Sequence, residues 1–465
     1  MRVLKFGGTS VADGAAIRRV AAIVADERQA GGDQGGPVVV VSALGGVTDR
    51  LLQIGALAQC GDAGPALEQV ADLEARHRQT LGELAAGETA RIARDALEEG
   101  FARVRAIVGA VAVLHEASPR TVDALAASGE LLSGRIVTAA LAEAGLSAQW
   151  VDPRQLVCTD DQFTAATPLM DETCRQAASC VRPLLEQGRV VVTGGFVGAT
   201  GRGVTTTLGR GGSDYSAALL GAALSADEIQ IWTDVDGMLT ADPRVVGEAR
   251  LVPFLSFAEA AELAYFGAKV LHPRTIQPAA AQNIPVRILN TFRPGAAGTR
   301  IADGPGVAPA AVTALACKRG ITVITITSTR MLMAFGYLRR VFEVFERYRT
   351  PVDVVSTSEV SVSVTIDDRR HLEPIVAALS GFAEVGVADE RALVAVVGDR
   401  FGEDPATFAR VVRALEGIPL RLVSQADARR NVTLVLDERD LSRAMTRLHA
   451  ECFGHPAHAP ARVHA

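Results

Sequence analysis

The feature that most restricts the fold is a series of short, nearly unbroken apolar strands, "RVLKF", "PVVVVSA", "RVVVTGGF" and "EIQIWTDV", separated by helical stretches across the first 300 or so residues. Strands without polar alternation have no face to give to water. They predict an α/β fold with a mostly parallel central sheet sandwiched by helices. One helix is expected near 14–28, and several more in the Ala/Leu/Glu-rich stretch 50–145. After about residue 312 the pattern becomes a duplicated βαββα unit. Strand "GITVITITS", helix "FGYLRRVFEVFERYR", strands "VDVVSTS" and "VSVSVTID" and helix "HLEPIVAALSGF" form its first copy. "RALVAVVG", "ATFARVVRALEG", "LRLVSQ", "NVTLVLDE" and "RDLSRAMTRLHAECF" form the second, at a period of roughly 70 residues. The expected organisation is an α/β domain over 1–300, small α+β modules over 312–390 and 391–453, one of which could interrupt the other, and a disordered tail over 454–465. Duplicated modules of this kind suit ligand sensing or dimerisation.

Composition narrows the function classes. A chain of 465 residues that is 48% hydrophobic can bury several cores. A net charge of −6 supplies no uniform basic surface, which disfavours nucleic-acid binding and requires any anionic ligand to be held by local groups. The six cysteines are scattered without CxxC spacing, as expected of thiols in a reducing cytosol rather than of disulfides or a zinc site. The N-terminus lacks a basic leader, and no apolar run is expected to span a membrane, so the expected location is cytoplasmic.

Among 47 Lys+Arg residues only Lys5, Lys269 and Lys318 are lysines. Lysine carries a compact ammonium that can approach one phosphate oxygen, whereas arginine offers a planar fork. A lysine kept in so arginine-rich a chain is a functional candidate at positions 5 and 269; Lys318 reads as a chance survivor. Lys5 closes an apolar strand and is followed by Gly7-Gly8. Further pairs, Gly45-Gly46, Gly194-Gly195 and Gly211-Gly212, follow other apolar segments. Each pair alone suits a tight βα turn, but together they suggest a polyphosphate site at the carboxyl ends of the strands. Neither GxxxxGK[ST] nor GxGxxG occurs, which counts against a P-loop or dinucleotide-binding enzyme. Arg210, Ser213 and Asp214 precede an apolar helix whose N-terminus favours negative charge, although one of the last two could simply cap it. Glu130, between a glycine and an apolar helical run, is by itself an ordinary helix charge.

The motifs "KFGGTSV" (5–11), "SGELLS" (128–133), "TTLGRGGSDYSAA" (206–218), "WTDVDG" with "TADPR" (232–244), "FGAKVLHP" (266–273) and "STSEVSVSV" (356–364) span nearly the whole chain. Together they resemble those of aspartate kinases of the amino-acid kinase superfamily. The resemblance implies an amino-acid kinase domain, two ACT-type regulatory modules, and phosphorylation of L-aspartate by ATP with Mg2+ held mainly through the phosphates. It implies Lys5 and Asp214 at the chemistry, with Gly7, Gly8 and Ser10 by the phosphates. Ser42, Thr48, Glu130, Phe196, Arg210, Gly211, Gly212 and Ser213 would surround aspartate. Thr233, Asp234, Leu239, Arg244, Lys269 and Val270 would serve the nucleotide. Leu239 stands where related lysine-sensitive enzymes often carry an aromatic residue. Met331, Ala334, Tyr337, Leu338, Val352, Asp353, Thr357, Ser358 and Glu359 would line an inter-subunit effector pocket for lysine, with threonine an open alternative, because Ala334 and Pro351 replace residues often serine there. Tyr337, Leu338 and Val352 equally suit a plain core. A homodimer or homotetramer through the ACT-like modules is implied. A kinase for glutamate, acetylglutamate or UMP, or a catalytically silent amino-acid sensor, are the rival readings.

Overall fold

The structure, a computed structural model, describes residues 1–32, 36–267, 273–303, 311–331, 335–398, 405–425 and 431–454. Lys269, Val270, Ala334 and the tail from 455 onward lie outside the described residues. The chain divides into two compact units, Met1–Met238 with Val270–Gly304, and Leu239–Lys269 with Pro305–Ala465. Residues 239–269, expected in the first domain, thus group with the second unit. Ala241 and Val246 are buried there among Leu315, Val394, Val396 and Met445.

In the first unit the sheet runs in the order Ala148–Trp150, Val190–Gly194, Val38–Val41, Arg2–Phe6, Glu228–Thr233, Val286–Asn290 and Thr299–Ile301. Neighbours are parallel except the last pair. All four valines of Val38–Val41 are buried, which explains their lack of polar alternation. Helix Gly14–Ala30 begins where the Asp13 carboxylate accepts from the Ala16 N–H at 2.8 Å. Helix Pro119–Glu143 begins with Ser118 as its cap and proline in its first turn. From the sequence no apolar run is expected to span a membrane. Among the described residues this helix is long and apolar enough to do so, with a mean hydropathy of 1.2 over its apolar window. However, 78% of that window is buried inside the protein, as suits a core helix. A smaller sheet joins Cys158–Thr159, Val197–Thr200 and Thr205–Thr207.

The second unit is built on an antiparallel sheet in the order Val355–Thr357, Ser361–Ile366, Ala314–Thr327, Glu384–Val397, Asn431–Asp437 and Leu420–Ser424. Helices Tyr337–Arg347 and Leu372–Ser380 cover one hydrophobic core, and Pro405–Ala414 and Leu441–Phe453 another. The two long strands cross both halves. Ala314–Lys318 pairs with Leu393–Val397, the register shifts between Lys318 and Ile321, and Ile321–Thr327 continues against the rest of its partner. Leu315 consequently packs with the C-terminal core, whereas Ile324 and Ile326 pack with the other.

Candidate active site

Parallel strands collect ligands beyond their carboxyl ends, and the order of the first unit reverses on either side of Arg2–Phe6. Lys5 lies near the end of that strand, in register with Val40 and Ile231, and is only 8% exposed. Its Nζ sits 2.6 Å from Oδ1 of Asp214, in the first turn of helix Gly212–Leu224. The pair answers the cost of burying an ammonium, and a carboxylate in the first turn also complements the helix dipole. A cavity of about 250 Å³ opens beside the pair. Lys5, Ser42, Thr48, Glu130, Phe196, Gly209, Gly211, Gly212, Ser213 and Asp214 line it.

Close backbone approach makes the glycines necessary. A Cβ on Gly195 would lie 2.7 Å from the Cα of Ser213, and one on Gly212 would lie 2.6 Å from Cδ2 of Phe196. The two turns nest without room for side chains. Phe196 adopts φ 64°, an uncommon conformation for a bulky residue, and its N–H donates to the Ser216 hydroxyl at 2.9 Å. Ser42 is fixed by its own N–H to the Phe6 carbonyl (3.1 Å), and its carbonyl accepts from Ser133 Oγ (2.7 Å).

Glu130 supplies the unusual electrostatic feature. It is buried, and its Oε2 has no hydrogen-bond partner among the described residues. Burial pushes its pKa up to about 8, against the opposing pull of the Ala43 N–H and, more weakly, of the Lys5 charge. A buried carboxyl with an unanswered oxygen in a cavity wall is suited to receive a cationic group from a ligand.

The remaining candidates are placed differently. Arg210 is exposed and is not among the lining residues, although Gly209 and Gly211 on either side of it are. The Ser10 hydroxyl is buried against Thr291 Oγ1 (2.7 Å), so it faces inward rather than toward a phosphate. The Gly7 N–H donates to the Trp232 carbonyl at 3.2 Å, which already commits one of the two turn amides. A Cβ on Gly7 would stand 3.5 Å from Lys5 Nζ. Thr233 ends the strand next to Arg2–Phe6, and its hydroxyl bonds to Asp234 at 3.2 Å. Leu239 and Arg244 belong to the second unit, where the Arg244 guanidinium is paired with Asp242 at 2.6 Å. Gly209 and Ser133 were not singled out from the sequence, though both sit inside quoted motifs. Among the described residues no group of three or more His, Cys, Asp or Glu could hold a metal ion.

Of the effector candidates, Met331, Tyr337 and Val352 pack against the core beneath Tyr337–Arg347, with Tyr337 edge-on to Phe382 at 5.9 Å. Leu338, Thr357, Ser358 and Glu359 are exposed. Asp353 is held by Lys318 at 3.1 Å, and the same ammonium lies 2.7 Å from Asp367. Lys318, which by sequence reads as a chance survivor, thus sits in an ion-pair cluster. Burial works against its charge, but its bonds to Asp367 and Asp353 outweigh that and raise its pKa.

The profile of the amino acid kinase family matches residues 1–290, and that of an ACT domain matches 394–452. Aspartokinase 3, chloroplastic, of Arabidopsis thaliana is 36% identical over 97% of this chain and 81% of its own. Lysine-sensitive aspartokinase 3 of Escherichia coli is 35% identical over 97% of this chain and 99% of its own. The crystal structure of E. coli aspartokinase III in complex with aspartate and ADP (R-state) superposes with a TM-score of 0.85 at 35% identity, covering 97% and 100% of the two chains. With its kinase profile, its ACT profile and this full-length similarity, the chain belongs to the aspartokinases of the amino acid kinase family.

Proposed function

We propose that this aspartokinase transfers the γ-phosphoryl of MgATP to the side-chain carboxylate of L-aspartate, giving 4-phospho-L-aspartate and ADP. The observation that carries the reading is the Lys5–Asp214 pair at the end of the central strand, beside the bare Gly7-Gly8 turn and within the same cavity as Glu130. The acceptor carboxylate has an ordinary pKa of about 3.9 and is already ionised at neutral pH, so no general base is needed. What must be overcome is repulsion between two anions. As the carboxylate oxygen forms its bond to phosphorus, the bond to the β–γ bridging oxygen breaks and that oxygen leaves on ADP, with charge spread over the equatorial phosphoryl oxygens. Lys5 neutralises that charge and Asp214 fixes the ammonium in place. A preorganised donor of this kind contributes about 3 to 4 kcal/mol. With Gly7 tied to Trp232, the Gly8 amide is the one offered to the phosphoryl.

Glu130 receives the α-ammonium of aspartate, while Ser42, Thr48, Phe196, Gly211, Gly212 and Ser213 shape the acceptor side. Arg210 reaches in from the rim to the α-carboxylate. Thr233, Asp234, Leu239, Arg244, Lys269 and Val270 serve the nucleotide. Mg2+, when bound, would be held mainly through the phosphates and would supply further positive charge there. Trapping the acyl phosphate with hydroxylamine, with aspartate and glutamate in parallel, tests the reading. A hydroxamate formed only from aspartate is expected, and one formed from glutamate alone would overturn it.

The second unit serves regulation. Because Leu315 packs with the C-terminal core and Ile324 with the other, the first ACT-like module is inserted after the first strand of the second. L-Lysine is the inhibitor, through Met331, Ala334, Tyr337, Leu338, Val352, Asp353, Thr357, Ser358 and Glu359, in a homo-oligomer assembled through these modules. The lysine sensitivity in the name of the E. coli relative supports this. An initial rate unchanged by millimolar lysine removes the assignment. The six cysteines are all free, which suits a cytoplasmic enzyme.

A further inference from the structure

We propose that Asp123 is a positioning residue that sets the width of the acceptor side of the cavity. It lies on helix Pro119–Glu143 seven residues before Glu130, hence on the same helix face, and is 1% exposed. Its carboxylate reaches two segments distant in sequence. Both oxygens accept from the Thr164 N–H at 3.0 Å, Oδ2 accepts from the Thr207 N–H at 3.0 Å, and Oδ1 accepts from the Thr207 hydroxyl at 2.6 Å. Thr164 has φ 71°, a conformation uncommon outside glycine, so its loop needs an external hold.

That hold is transmitted to the cavity wall. The Ala166 N–H donates to the Thr207 carbonyl at 2.9 Å, which joins the loop to strand Thr205–Thr207. Gly209, two residues beyond that strand, has φ 75°, and a Cβ there would stand 3.3 Å from the Thr164 carbonyl oxygen. Gly209 lines the cavity, and Gly211 and Gly212 follow it. One rigid helix face therefore carries Glu130 directly and, through Asp123, fixes the turn that faces it. The separation of these two walls governs how an amino-acid acceptor of given length sits. The inference rests on the reading of Glu130 as the acceptor-side carboxylate.

Asp123→Asn keeps the shape but turns an amide NH2 toward donors that need an acceptor. Its KM for aspartate is expected to rise about 10- to 100-fold while its KM for ATP stays within about twofold, since small displacements of a positioned substrate are costly. A similar rise in both KM values, or wild-type kinetics with only a lowered Tm, would make Asp123 a structural residue and overturn the inference. Should Asp123→Asn fail to fold, Thr207→Val and Thr207→Ser decide. Loss of the hydroxyl in Thr207→Val is expected to raise the aspartate KM selectively, and Thr207→Ser to restore it; equal aspartate KM values in the two variants overturn the proposal. Glu130→Gln, measured alongside, separates the two claims. A wild-type aspartate KM in Glu130→Gln sinks the reading of Glu130, whereas a responding Glu130→Gln beside an unresponsive Asp123→Asn sinks the positioning role.

Discussion

Glu130 in the first unit, buried, and Asp353 in the second, half-buried, are both carboxyl groups whose pKa is raised by desolvation, yet their surroundings differ. Each keeps one oxygen without a hydrogen bond among the described residues, but Glu130 faces a cavity, whereas Asp353 already holds the ammonium of Lys318 through its other oxygen. The first arrangement waits for a cation from outside. In the second, a ligand ammonium directed to Asp353 meets a cation the chain supplies itself and has to compete with it. The contrast separates a site open to its ligand from one in which a ligand cation competes with an internal one, so that binding there is coupled to the state of that ion pair.

The largest expected effect tests the open side. Lys5→Ala is expected to lower kcat by about 100- to 1000-fold, measured by coupled ADP release, because the transferring phosphoryl loses its ammonium. Near-normal turnover would falsify the assignment. Next, Glu130→Gln is expected to lower kcat/KM for aspartate by about 10- to 100-fold. Its pH dependence sharpens the point. With a pKa of about 8, the empty site is mostly protonated at neutral pH, and taking up an ammonium requires the proton to leave. The aspartate kcat/KM of the wild type should therefore climb as pH rises toward about 8, and Glu130→Gln should lack that climb.

The nesting of the turns comes third. Gly195→Ala places a methyl group 2.7 Å from backbone at Ser213, and overpacking of this kind costs about 1 to 3 kcal/mol. A raised aspartate KM and a lowered Tm are expected, and an unchanged variant would mean that the two turns part readily. The smallest effect is expected in the second unit. Lys318→Met removes the internal competitor at Asp353, at a stability cost of roughly 1 kcal/mol for a partly exposed pair. Half-inhibition should then need less lysine; an unaltered dose response would erase the contrast between the two carboxylates.

Local pattern revealed most of the elements. The valine run at 38–41 and the helix–strand succession after 337 could be read because period and turn residues are local properties. The residues around the cavity were legible through motifs, since Lys5, Glu130 and Asp214 sit in stretches whose glycines betray a close approach. What remained hidden depends on pairing across distance. That the Gly7 amide is taken by Trp232, or the Ser10 hydroxyl by Thr291, follows from contacts more than 200 residues apart. Lys318 looked incidental because its acids lie at 353 and 367. Asp123 carries no local signal because its partners, at 164 in a loop and at 207 in a strand, lie 41 and 84 residues away. The placement of 239–269 was missed because Ala241 and Val246 are apolar residues whose core is completed only by strands that come much later.

The two long strands Ala314–Thr327 and Glu384–Val397 carry a practical consequence. A fragment cut at 390 divides one of them and strips Leu315 of the residues that cover it, so neither regulatory module can be excised or swapped between enzymes as a sequential block. Chimeras that exchange effector response should move 312–453 whole and together with Leu239–Lys269, because Ala241 and Val246 of that segment complete the same core.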